Sequence, residues 1–184
     1  MTNEPLGTFD DRYTMRYIRE YPHPVERVWE ALVTAEHLDI WMMPANEVDA
    51  REGGRFDFTF QGPRSHPGTI CELRLHEVVD YAFDDGGHMR FELTPTAEGT
   101  RLAFLHSFPA GFISPPADDP DDPGADLPGG PDTPWRPGFT AGFHLCLHDL
   151  GVFLDGDPVH RPPGDEDWHA LLPVYREHIK ASLS

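Results

Sequence analysis

Between Arg55 and Ser107 the chain changes character at every residue, and this alternation restricts its fold more than any other feature. "RFDFTF" sets Phe56, Phe58 and Phe60 against Arg55, Asp57 and Thr59, and "CELRLH" sets Cys71, Leu73 and Leu75 against Glu72, Arg74 and His76. "HMRFELTP" places Met89, Phe91 and Leu93 opposite Arg90, Glu92 and Thr94. "TRLAFLHS" places Leu102, Phe104 and His106 opposite Arg101, Ala103 and Leu105. Successive side chains of a strand point to opposite faces, so each segment reads as a strand with one apolar side. The glycine-bearing DDGG and AEGT stretches between them read as hairpin turns. Strands joined this way form an antiparallel meander, and its apolar face requires a helix packed across it.

Upstream, "YTMRYIREY" alternates Tyr13, Met15, Tyr17 and Arg19 with Thr14, Arg16, Ile18 and Glu20, which suits a further strand. Then Pro24 sits where a first helical turn tolerates it, and Val25, Val28, Trp29 and Leu32 follow at helical spacing. This opening helix is the first candidate to cover the sheet. A second short helix carries Leu38, Trp41 and Met42 and stops at Pro44. Downstream, "TAGFHLCLHDLGVFLDG" has Phe139, Phe143, Cys146, Leu150 and Phe153 in one helical stripe that Leu147 and Leu154 widen. The tail from 157 to 184 reads as an accessory helix with Trp168, Leu171, Leu172 and Tyr175 on one side, kinked or interrupted by Pro173. The class is therefore α+β. A leader occupies 1–12, the domain 13–156, and a helical extension 157–184. Within the domain, 109–134 is a Pro/Asp-rich insertion that reads either as a solvated acidic loop or as a lid anchored by Phe108, Phe112 and Ile113.

Thirty-two acids against fourteen Lys and Arg give a formal charge of −18. Such a field repels phosphate backbones and anionic lipid, so neither nucleic acid nor membrane is an expected partner. No apolar run approaches the roughly 20 residues of a membrane-spanning helix, and the N-terminus lacks the pattern of a secretory signal. Two cysteines, Cys71 and Cys146, make no disulfide framework. Reduced thiols in a cytoplasmic protein are the expectation.

The order of these motifs resembles a known family. "YPHPVERVWEALVTAEHLDIWMMP", "EGGRFDF", "GTRLAFLHS" and "TAGFHLCLHDLGVFLDG" follow one another as in the START-like (SRPBCC) superfamily. Within it they are most similar to the bacterial group homologous to the activator of heat-shock protein 90 ATPase. The resemblance spans roughly residues 13 to 156. Phe143 stands where that group often has Trp, and the insertion is longer than usual. The resemblance implies a helix-grip fold: a curved antiparallel sheet wrapped around a long C-terminal helix, with a cavity between them for a hydrophobic small molecule.

In that setting Trp41, Phe56, Phe58, Phe91, Phe104, Phe139, Phe143 and Leu147 are expected to fill the core or line the cavity. His106, His144 and His148 are its candidate polar anchors. The i, i+4 pair His144 and His148 also has metal-ligand spacing, but supplies only half a tetrahedral shell and lacks the Glu of HExxH. No metal and no cofactor is expected. Cys146, inside an apolar stripe, and Cys71, on a strand's apolar register, are expected to pack as small hydrophobes. The leading expectation is a binder of a small apolar molecule with no assigned catalytic residue. A cyclase or hydrolase-type enzyme using the same cavity, and a chaperone-regulator interaction module, stay open beside it, as do a homodimer and a protein partner.

Overall fold

The computed structural model describes residues 4–59, 65–113, 134–159 and 166–183. In chain order its elements are β1 (Thr8–Asp11), β2 (Thr14–Tyr21), α1 (Val25–Val33), α2 (Ala35–Trp41), β3 (Ala45–Val48), β4 (Arg55–Thr59), β5 (Ser65–Arg74), β6 (Val78–Phe83), β7 (His88–Pro95), β8 (Thr100–Ser107), α3 (Pro137–Asp155) and α4 (Glu166–Leu183). The strands form one curved antiparallel sheet in the order β1-β2-β8-β7-β6-β5-β4-β3. The meander thus runs from β3 to β8, and β2 closes onto β8 along its whole length, from Thr14 opposite Ser107 to Tyr21 opposite Thr100. This is the helix-grip fold, and the gripped element is α3.

Helix α3 has 19 residues, about 28 Å at 1.5 Å per residue. Pro137 occupies its first turn, where the missing N–H costs nothing. Gly156, at φ 83°, ends it in the left-handed conformation that favours glycine. Two tyrosines of β2 fasten it to the sheet. Tyr17 donates its hydroxyl to Thr140 O at 2.8 Å, and Tyr21 donates to Leu147 O at 2.7 Å. The two carbonyls lie seven residues apart, two turns along one face. Tyr21→Phe keeps the ring and removes the bond, so urea unfolding should show a loss of about 1 kcal/mol.

Helix α1, the first candidate to cover the sheet, packs against β7 and also against α3. Tyr81 donates to Leu32 O at 2.7 Å, and Trp41 Nε1 donates to Ala31 O at 2.9 Å, so α1, α2 and the sheet are tied at one corner. The core beneath is aromatic. Phe91 and Phe104 stack at 4.6 Å, and Phe56 and Phe58 meet Tyr81 at 5.0 and 5.2 Å.

Several local expectations need correction. Cys71 is exposed, Leu73 half-buried and Leu75 68% exposed, so this segment does not turn its apolar register inward. The register between β5 and β6 shifts between Ile70 and Glu72, and Cys71 is the extra residue. Such a bulge re-aims a side chain and breaks the alternation. Pro173 does not interrupt α4, which runs through it. The missing N–H is outweighed by the burial of Leu171, Leu172, Tyr175 and Ile179 on the same helix. Thr8–Asp11, inside the expected leader, form the edge strand β1. Phe60 and residues 114–133 of the insertion lie outside the described residues, and so does the choice between solvated loop and lid. No disulfide joins Cys71 and Cys146.

On the outer face the alternating charges form ion pairs, some across strands and some along one strand or its turn. Arg90 meets Glu72, Asp80 and Glu92, Arg74 meets Glu72 and Glu77, and Arg55 meets Asp84.

Candidate functional site

His106 lies on β8, at the inward register that Leu102 and Phe104 share, and is 3% exposed. Five aromatic rings surround it. Phe108, Phe139, Phe143, Trp135 and Phe104 have centroids 4.7, 5.0, 5.0, 6.0 and 6.3 Å from the imidazole. Phe112 stacks on Phe108 at 4.2 Å, and Trp135 is held by donation from its Nε1 to Arg12 O at 2.8 Å. Inside this cage His106 Nδ1 has no hydrogen-bond partner among the described residues. Burial pushes its pKa down to about 3, so the ring is neutral at physiological pH. A neutral imidazole offers one donor and one acceptor. An unmet polar atom in an interior of this kind costs about 1–3 kcal/mol, so its presence demands a reason.

His144 faces different neighbours. It is 1% exposed, and its Nδ1 stands 2.8 Å from the Tyr175 hydroxyl and 3.5 Å from Arg19 Nη2. The Tyr175 hydroxyl accepts the Gly7 N–H at 3.3 Å, which leaves its own proton for His144. Arg19 is 4% exposed, pairs with Glu4 at 3.1 Å and donates to Pro5 O and Ile18 O. Burial, then the Arg19 charge, push the His144 pKa down to about 4. His148 is half-exposed and meets the same Glu4 at 3.1 Å through Nδ1. It borders an open groove of about 520 Å³ between β2 and α3, with Arg19 and Glu4 also on its wall.

The sequence places His144 on the flank of the α3 stripe, neither inward nor solvated. The structure buries it because α4 covers that flank. Trp168 Nε1 donates to Gly138 O at 2.9 Å, and Tyr175 closes over His144. The three histidines therefore occupy three environments: an aromatic cage, a buried polar cluster and a groove wall. Glu4 is the group that the i, i+4 pair of HLCLH shares.

The other candidate residues join the first environment or the core around it. Phe104 and Phe143 meet at 5.1 Å, Phe139 and Phe143 at 4.9 Å, and Phe139 is half-buried. Phe91 links this group through Phe104 to Trp41 at 6.3 Å, whereas Phe56 and Phe58 belong to the Tyr81 cluster. Leu147 is fully buried beside the β2 contact. Sequence reasoning missed Trp135, Glu4 and Tyr175, which lie outside the alternating strands and reach their sites only through tertiary packing. Arg19 carried a legible signal, because a charge on an inward register needs a buried partner.

Among the described residues, no helix is long and apolar enough to cross a membrane. No curated protein matches the chain. Solved structures of the same fold are many. A conserved protein of unknown function from Enterococcus faecalis is 15% identical, with a TM-score of 0.67 over 97% of this chain and 91% of its own. A protein from Chromobacterium violaceum is 24% identical, with a TM-score of 0.54 over 76% of this chain and 96% of its own. CalU16 from Micromonospora echinospora is 19% identical, with a TM-score of 0.58 over 91% of this chain and 85% of its own. Residues 22–123 match the sequence profile of a family described as Activator of Hsp90 ATPase homolog 1-like protein. The match covers the opening helices and the whole strand meander, so this chain is a member of that family.

Proposed function

We propose that the protein binds a small, mostly apolar molecule between the sheet and α3, at the aromatic cage of His106. The unpartnered Nδ1 of His106 carries this reading. A ligand bearing one hydroxyl or carbonyl supplies the missing hydrogen bond, while its apolar body packs on Phe108, Phe139, Phe143 and Trp135. Sites for small molecules generally combine apolar walls with a few placed polar groups. Two cysteines with no disulfide between them and a formal charge of −18 suit a cytoplasmic setting.

The depressed pKa of His106 makes it a poor base near neutrality, which favours binding over acid–base catalysis. Chaperone regulation, which the family description suggests, calls for an apolar docking surface. Among the described residues the large exposed apolar side chains are Ile40 on α2, Leu75 after β5, Ile113 after β8 and Val174 on α4, each on a different segment.

His106→Phe tests the reading. Replacing an unmet polar ring by an apolar one should leave stability unchanged or raise it by about 1 kcal/mol. It should also abolish the melting shift given by hydroxylated aromatic probes such as naphthols, because a ligand selective for the folded state stabilises it. Equal probe-induced shifts in wild type and variant would remove His106 from the site. A panel that shifts neither protein would remove the binding reading.

A further inference from the structure

The bulge in β5 has a chemical consequence on the opposite face of the sheet. Cys71, the extra residue between Ile70 and Glu72, stands beside Asp80 of β6 and His88 of β7. A ligand atom from each of the three lies within 4.8 Å of the others. Asp80 Oδ1 and His88 Nδ1 are 2.9 Å apart. Donor atoms around a tetrahedral zinc ion stand roughly 3–4 Å from one another, so modest side-chain rotation brings these three to coordinating distance. We infer that Cys71, Asp80 and His88 form a binding site for a divalent transition-metal ion of the zinc type, distinct from the His106 cage.

The donor set supports this assignment. A thiolate, a carboxylate and a neutral imidazole bring two negative charges to a dication, and sulfur with nitrogen selects zinc-like ions over magnesium or calcium. Three strands of a hydrogen-bonded sheet carry the ligands, so their backbones are already in place. The nearest competing cation is Arg90, whose Nη1 stands 3.2 Å from Asp80 Oδ2. Its charge is already met by Glu72 and Glu92. Holding Oδ2, it orients the carboxylate and leaves Oδ1 on the side of His88. Asp80 is 8% exposed, whereas Cys71 is exposed and His88 partly so. The fourth coordination position therefore opens to solvent, as in a three-ligand site that keeps a water or an exogenous group.

A nucleophilic cysteine is the competing reading of the same trio. Burial, then the Asp80 carboxylate, push the Cys71 thiol up, opposite to what a reactive thiolate requires. A bound dication replaces the thiol proton directly.

The test is cobalt(II) titration of the full chain after chelator treatment, read by absorption. One cobalt ion per chain with a thiolate-to-cobalt charge-transfer band, displaced by zinc, is the expected result. Cys71→Ser should abolish the band. His88→Gln should weaken binding at least about tenfold, the lower bound for losing even an outer-lying partner of a metal site. Cys146→Ala, which removes the chain's other thiol, should retain the band. Melting of each variant in chelator establishes that it is folded. The proposal is overturned if the wild type shows no thiolate band, if the band survives in Cys71→Ser, or if zinc raises the melting temperature of wild type and Cys71→Ser equally.

Discussion

Phe104→Ala is expected to destabilise the protein by about 3–5 kcal/mol, the usual cost of deleting a buried aromatic ring. Phe104 is 0% exposed and stands at the centre of the aromatic layer. It stacks on Phe91 at 4.6 Å and on Tyr17 at 5.9 Å, and meets Phe143 of α3 at 5.1 Å. The ring thus couples three neighbouring strands, β2, β8 and β7, to the gripped helix. Its removal leaves a cavity between two layers that cannot both collapse into it. Domains of this size are stable by roughly 5–15 kcal/mol, so the variant should lose a large part of its stability. Urea unfolding followed by tryptophan fluorescence measures the loss. Phe139→Ala, at a half-buried position on the same helix, should cost less. A Phe104→Ala loss below about 1 kcal/mol is incompatible with the packing described.

Acidification gives the second large effect. His106 and His144 have pKa values lowered from 6.5 to about 3 and about 4, mainly by burial. In the unfolded chain both protonate near 6.5, whereas the folded protein resists their protonation. Their contribution is therefore complete above pH 6.5 and is lost as pH falls, for His144 until about 4 and for His106 until about 3. In the shared part of that window each histidine removes about 1.4 kcal/mol per pH unit, so the pair gives roughly twice that slope. Denaturant unfolding at a series of pH values measures it. His106→Phe should retain the His144 part alone. An unchanged slope in His106→Phe would mean that His106 titrates normally in the folded state.

Both effects depend on which face each residue occupies, and the sequence told this unevenly. Alternation in β4, β7 and β8 correctly turned Phe56, Phe58, Phe91, Phe104 and His106 inward, because a strand's two-residue period is local geometry. The same rule failed at Cys71, where one inserted residue shifts the register and no neighbouring residue type announces it. The α3 stripe was legible for Phe143, Cys146 and Leu150, since 3.6-residue periodicity is equally local. His144 was not, because its burial depends on α4, an element folded back from outside the stripe. Nor could spacing reveal that HLCLH meets Glu4, a carboxylate 140 and 144 positions away along the chain.

By itself, then, the sequence determined an antiparallel sheet with one apolar face, two short opening helices and a long helix for the sheet to grip. Those properties follow from backbone periodicity and from proline and glycine at element ends. Tertiary structure alone decided that α4 seals His144, that an aromatic cage leaves His106 Nδ1 unmet, and that a bulge carries Cys71 to Asp80 and His88. Each of these is a contact between segments distant in the chain. Such contacts are selected by competition among all the surfaces available for burial, and no local pattern records the winner.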